Sequence, residues 1–289
     1  MMPRFEIIFP DNLSDALSVL SSGHEHMQII AGGTDVITGL GQGSNRFKNT
    51  KMLIDINNIP EVNGIEIGRE KISIGGAVTF SDILQSEFIE RSFPLLWKSV
   101  STIGSVQIRN RATIAGNFVN NAPCADTVPV LLVYNATIVI ESMSSKREIS
   151  LYEFLSGPYK TKLSRNEIVT RINIPIPNKN LNGDFYKLGR RRAVAISRIT
   201  LAVLADVNSE SKINEIRIAS GAVTPIGTRF FDLEKIAKGK KADDQFFKDM
   251  AGKLGEKIIE VTGLRWSSEY KLPVVQQVFY QLLKGIERG

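Results

Sequence analysis

Cysteine and histidine are the scarcest chemistry-bearing residues of this 289-residue sequence, with one cysteine (Cys124) and two histidines (His24 and His26). A lone thiol excludes an intrachain disulfide framework. It also excludes an iron–sulfur cluster held by this chain, which needs about four thiolate or histidine ligands. Two closely spaced histidines do not make a His-rich zinc site, so no metal centre is expected. No run of about 18 apolar residues occurs, so no membrane-spanning helix is expected. The opening MMPRFEIIFPDNLSDAL meets polar and acidic residues too early for a signal-peptide core. Without disulfides, the cytoplasm is the expected compartment. Also missing are G-x-x-x-x-G-K-[ST], H-E-x-x-H and G-x-S-x-G, so hydrolytic catalysis has no visible machinery. No G-x-G-x-x-G opens a βαβ unit, and the Gly39, Gly41, Gly43 cluster reads as loop.

What remains is an ordinary globular chain, 43% hydrophobic and 23% charged, long enough for two domains at about 100–200 residues each. The net charge of +6 invites a nucleic-acid reading, but 36 Lys and Arg are interleaved with 30 acids along the chain. Only Arg190–Arg192 and Lys238 with Lys240–Lys241 are dense. Nucleic acid is not expected; a basic surface serves anionic ligands and protein partners equally well.

Residues 1–57 read as β-α-β-α-β. Phe5–Phe9 is a strand ended by Pro10, and Leu13, Ala16, Leu17 and Leu20 share one face of a helix capped by Asp11–Ser14. Met27–Ala31 is an apolar strand running into Gly32-Gly33, with a helix over Asp35–Leu40 and a strand over Met52–Ile56. Residues 58–177 open with alternating strands at Ile65–Ile67 and Ile72–Ile74, then helices near 81–89 and 94–103. Residues 104–123 are rich in Gly and Asn. A short apolar helix led by Asp126 follows, then strands Thr137–Glu141, Arg147–Ser150 and Ile168–Ile174. The segment 177–183 is a linker. Beyond it, to residue 289, strands at 185–188, 200–207 and 213–222 and helices around 230–238, 243–261 and 270–287 predict a smaller α+β domain with an antiparallel sheet.

Two glycine segments carry the chemistry. Ile30-Ala31-Gly32-Gly33-Thr34-Asp35 joins a strand to a helix, and Thr113-Ile114-Ala115-Gly116-Asn117 precedes Asn120-Asn121 and Asp126. Each is a tight turn by default. Together they have the makings of a pyrophosphate clamp, in which glycines let backbone N–H groups approach phosphate and Thr and Asn add donors. Asp126 is suited to accept from sugar hydroxyls or to cap the helix after it, and Lys187 alone reads as a solvated strand residue.

AGGTD, followed some eighty residues later by RNRATIAGNFVNNAPCADTVPVLLVYNA, resembles the FAD-binding subunit of the molybdenum hydroxylases (xanthine, carbon monoxide and nicotinate dehydrogenase type). The resemblance runs the whole chain, through Lys187-x-x-Arg190-Arg191-Arg192 to Arg265-x-Ser-Ser-Glu-Tyr270. It implies a two-subdomain FAD-binding fold of the vanillyl-alcohol-oxidase/PCMH type over 1–177, and a CO-dehydrogenase-flavoprotein-like C-terminal domain over 183–289. It further implies that Ile30, Ala31, Gly32, Gly33, Thr34 and Asp35 wrap the FAD diphosphate, with Thr113, Ala115, Gly116 and Asn117 on its other side. Asp126 then contacts ribityl or sugar hydroxyls, Ile103 and Ile168 pack on the flavin, and Lys187 lies near the ring, where a cation favours the reduced form.

The implied partners are a molybdopterin-binding large subunit, which hydroxylates a purine or other N-heterocycle, and a 2Fe–2S small subunit. Electrons would pass from the clusters through FAD to NAD or another acceptor, and no side chain here is assigned as catalytic. Two departures limit the analogy. Ala193-Val194-Ala195 replaces the acidic residues that follow the paired arginines in animal xanthine dehydrogenases, so their control of NAD access does not carry over. The cysteine-rich insertion of some relatives is missing too, which leaves flavin as the only redox centre. The alternatives are a free-standing FAD oxidase or reductase of the same fold, and a non-catalytic basic binding protein.

Overall fold

The computed structural model describes residues 4–191 and 194–286. Arg192 and Ala193, part of the expected arginine cluster and of the segment after it, lie outside the described residues, as do positions 1–3 and 287–289.

The first unit is parallel. Strands Glu6–Ile8, Met27–Ile30 and Met52–Asp55 alternate with helices Leu13–Ser21 and Val36–Gly41, and the third strand lies between the other two. Asn12 caps the first helix, its side chain accepting from the Asp15 N–H at 2.9 Å. The apolar face anticipated from spacing is buried: Ala16, Leu17 and Leu20 pack with Ile54 and Ile56.

The second unit is a five-stranded antiparallel sheet in the order Ile65–Ile67, Lys71–Gly75, Ile168–Pro175, Thr137–Glu141, Lys146–Ser150. Helices pack against it. The helix expected over 81–89 is two helices, Phe80–Gln85 and Glu87–Ser92, because Ser86 ends the first and caps the second. Residues 104–123, rich in Gly and Asn and given no element from the sequence, hold helices Val106–Arg109 and Ile114–Asn120. Each is started by a hydroxyl cap, Ser105 and Thr113, that offsets poor helix formers inside it. Asp126 leads the buried helix Thr127–Val133, and a small hairpin pairs Leu155–Gly157 with Lys160–Thr161.

The last part is an antiparallel sheet of Asn182–Gly189, Ser197–Val207, Ile213–Gly221 and Thr228–Arg229, followed by helices Phe231–Ala237, Asp244–Thr262 and Ser268–Ile286. Its long strands are apolar on both faces. Leu201, Val203 and Ala205 join Phe247, Met250, Leu254 and Phe279, whereas Ala202 and Leu204, with Phe185 and Ala219, enter the core of the second unit beside Val128 and Leu131. The sheet is therefore a shared wall between two cores, not the edge of a separate body.

Candidate functional site

A cleft of about 1400 Å³ runs between the parallel unit, the antiparallel unit and the near end of the last sheet. Small-molecule pockets usually span roughly 300–1,000 Å³, so this one is dinucleotide-sized. Its first wall is the turn after strand Met27–Ile30. Gly33 takes φ +73°, a conformation that favours glycine. Among the described residues, the backbone N–H groups of Gly32, Gly33, Thr34 and Asp35 donate to no protein acceptor. Four successive unsatisfied donors in one turn make a concavity for an anion. A Cβ on Gly32 would stand 1.9 Å from the Arg111 carbonyl oxygen, so this turn rests backbone against backbone on the stretch leading into Thr113. Asp35 makes no capping bond to the helix it precedes. Burial in the cleft pushes its carboxyl up, and Arg46 opposes that shift.

The second glycine segment is the first turn of helix Ile114–Asn120, not a loop. Its donors are consumed internally: Ile114 N–H bonds Val78 O at 3.0 Å, Ala115 N–H bonds Gly76 O at 3.3 Å, and Gly116 N–H bonds Thr113 Oγ1 at 3.2 Å. Backbone donation to phosphate from here is therefore not what this structure provides. The segment offers the cleft the bare backbone of Gly116 and the amide of Asn117, whose oxygen accepts from Thr127 Oγ1 at 2.7 Å.

At the other end of the cleft Lys187 Nζ donates to Asp126 Oδ2 at 2.6 Å and to Thr102 O at 2.9 Å. The side chains are only 9% and 7% exposed, so Lys187 is not the solvated strand residue its type suggests. Asp126 accepts from Ser197 Oγ as well, and it makes no capping bond to the helix it leads. Desolvation pushes the Asp126 carboxyl up; Lys187 and the Ser197 hydroxyl counter part of that. The pair joins the antiparallel unit to the last sheet across the cleft floor.

Ala31, Gly32, Gly33, Thr34, Asp35, Ile103, Thr113, Ala115, Gly116, Asn117, Asp126, Ile168 and Lys187 all line this one cleft. Ile30 does not. Its side chain turns into a small core with Leu40, Phe47 and Leu53, because alternation along the strand sends it to the far face. Ile168 bounds the cleft but is only 1% exposed within the first unit's core, whereas Ile103 is partly open. Sequence reasoning missed Arg46, Ser197 and the strap Leu163–Glu167, and it did not place His24 and His26 at the cleft wall.

The strap is held by Arg147, which grips Glu167 with two nitrogens at 3.0 and 2.8 Å, and by Ser164 N–H on the same carboxylate at 2.8 Å. The Arg147 hydrogen bonds hold the Glu167 carboxyl below its ordinary 4.5. A depressed carboxyl pKa contributes stability above 4.5 and loses it as pH falls through the lowered value. Glu167→Gln is expected to lose about 1–2 kcal/mol at neutral pH, after allowing for the partly exposed Arg147. Its urea midpoint should also fall less steeply than wild type on acidification below pH 4.5; parallel curves would show that the strap does not rest on this pair.

Residues 3–177 match the model of the FAD binding domain in molybdopterin dehydrogenase, and 184–286 match that of the CO dehydrogenase flavoprotein C-terminal domain. The chain belongs to the FAD-binding medium subunits of the molybdenum hydroxylases. It is 32% identical to the glyceraldehyde dehydrogenase medium chain of Sulfolobus acidocaldarius, over 98% of this chain and 99% of that one. It is 29% identical to the nicotinate dehydrogenase FAD-subunit of Eubacterium barkeri, over 99% and 97%. The carbon monoxide dehydrogenase structure from Hydrogenophaga pseudoflava superposes with a TM-score of 0.90 at 25% identity, covering 98% and 97% of the two chains. The medium-subunit family thus fixes the α+β class, the oxidoreductase role and FAD as the cofactor. It also sets aside the basic binding protein. The residues present fit that cofactor: a turn with four unsatisfied N–H donors and a buried ammonium both line one cleft of about 1400 Å³. No helix among the described residues is long and apolar enough to cross a membrane.

Proposed function

We propose that this chain is the electron-transfer component of a three-part enzyme. A 2Fe–2S subunit feeds it, a molybdopterin-binding subunit carries out the hydroxylation, and NAD or another acceptor takes the electrons away. The observation that carries this reading is the single cleft with free turn N–H groups at one end and the Lys187–Asp126 pair at the other. When bound, FAD supplies a ring that accepts electrons and gains negative charge on reduction. The Gly32–Asp35 turn binds the diphosphate, and Gly116 and Asn117 close over its other side. Asp126 and Ser197 orient sugar or ribityl hydroxyls. Lys187, anchored on Thr102 O, holds a positive end near the ring, and Ile103 excludes water from the ring's face. The relatives named above are called after glyceraldehyde, nicotinate and carbon monoxide, which supports placing substrate choice in a partner chain. N-heterocycles are the class to test first.

The purified chain is expected to be yellow, to hold one FAD, to bleach with dithionite and to leave xanthine and nicotinate untouched. Turnover of either by the isolated chain would overturn the subunit reading and favour a free-standing oxidase. Anaerobic NADH tests the acceptor: bleaching of the bound flavin supports NAD, and an unchanged spectrum removes it.

A further inference from the structure

Arg46 is the one cation of the cleft wall whose geometry nothing assigned so far explains. Among the described residues three cations line the cleft: Arg46, Arg165 and Lys187. Lys187 is paired with Asp126, and Arg165 makes no hydrogen bond or ion pair among the described residues. Arg46 is held from three sides. Its guanidinium carbon sits 4.4 Å from the centre of the Tyr159 ring and 4.9 Å from that of Phe47, and one nitrogen donates to Asn120 Oδ1 at 2.5 Å. It lines the same cleft as Asp35, whose carboxyl its charge holds down against the effect of burial.

The support behind Tyr159 is costly backbone. Tyr159 has φ +57° and Asn121 φ +44°, both in the left-handed region that non-glycine residues seldom adopt. The buried Asn121 side chain donates to Gly157 O at 2.8 Å and Lys160 O at 2.9 Å, and Tyr159 N–H bonds Asn121 O at 2.9 Å. Asn121 thus pins the hairpin of Leu155–Gly157 and Lys160–Thr161, and the hairpin delivers its tyrosine ring onto a cation of the parallel unit. Arg46 is exposed, but a guanidinium resting against two rings and an amide has fewer rotamers to lose when an anion arrives, which favours binding.

We propose that Arg46 is a preset counter-ion for the cofactor diphosphate, with Tyr159 as the clasp that fixes it. The proposal rests on the reading that the Gly32–Asp35 turn takes that diphosphate. Four neutral N–H donors leave a doubly charged group without a full counter-charge, and Arg46, on the wall of the same cleft, supplies it.

The test uses the full chain stripped of flavin and titrated with FAD, with ADP and riboflavin as separate competitors. ADP keeps the diphosphate and riboflavin lacks it. Arg46→Gln is expected to weaken FAD and ADP alike, by about 10- to 100-fold, the range of a lost charge-assisted hydrogen bond. Riboflavin should stay within about twofold of wild type, which serves as the check on folding. Arg46→Lys should recover part of the loss and steepen the salt dependence. Tyr159→Ala should weaken FAD and ADP about threefold by freeing the guanidinium. Equal weakening of FAD and riboflavin, or unchanged FAD and ADP, would overturn the proposal. Gly33→Ala separates the two readings. If it selectively weakens FAD and ADP while Arg46→Gln does not, the turn binds diphosphate and the Arg46 proposal alone fails. If neither variant is selective, both fail.

Discussion

Lys187→Met is expected to destabilise the chain by about 3–5 kcal/mol, the usual consequence of removing one partner from a buried ion pair. The Asp126 carboxylate would be left 7% exposed with only Ser197 Oγ donating to it. Its pKa is already raised by burial, and removal of Lys187 takes away what opposes the rise. A raised carboxyl pKa stabilises the fold below the ordinary value of 3.8 and loses that contribution as pH rises through the folded-state value. The variant should therefore be closest to wild type in acid and fall furthest behind near neutrality. Lys187→Met/Asp126→Asn should recover most of the loss, because no charge is then stranded. Urea midpoints at several pH values read all of this. A single-variant loss below about 1 kcal/mol, or strictly additive losses in the double variant, would place the two groups apart in solution.

Gly32→Ala should be more damaging still to the cofactor site. Its added Cβ meets a backbone carbonyl, Arg111 O, at 1.9 Å, and backbone cannot rotate away as a side chain does. The cost is expected to exceed about 4 kcal/mol, with the protein recovered, where soluble, free of FAD. Gly116→Ala meets only the Thr113 hydroxyl at 2.8 Å, which can turn aside at the cost of a helix cap of about 1 kcal/mol. The ratio of flavin to protein absorbance ranks the two. Full flavin content in Gly32→Ala would show that the two segments do not meet as described.

The strands and amphipathic helices were legible because their periodicity is local: the 13–20 face and the alternation at 168–174 are each set by neighbours in sequence. Residues 104–123 were not, since the helix Ser105 starts is only four residues long and the one Thr113 starts is short and interrupted by Gly116 and Asn117. The cleft residues were found through two motifs, but their chemistry was only half readable. Gly116 loses its N–H to the Thr113 cap, and whether Ile114 and Ala115 offer theirs depends on the Val78 and Gly76 carbonyls, which is a tertiary fact. Lys187 looked solvated because Asp126, 61 positions earlier, cannot be paired with it by inspection. Arg46 carried no signal, as its amide partner lies 74 positions away and its clasp lies on a separate hairpin.

The wall shared by two cores also bears on how the protein is made. Asp126 emerges long before Lys187 and Ser197, and the strands bearing those two are covered on their outer face only by helices ending at Ile286. Until those strands have folded, the cleft lacks its floor and the Val128–Leu131 surface lacks its cover. The cleft is thus completed by segments far apart in sequence, and capture of flavin is expected to follow docking of the last sheet.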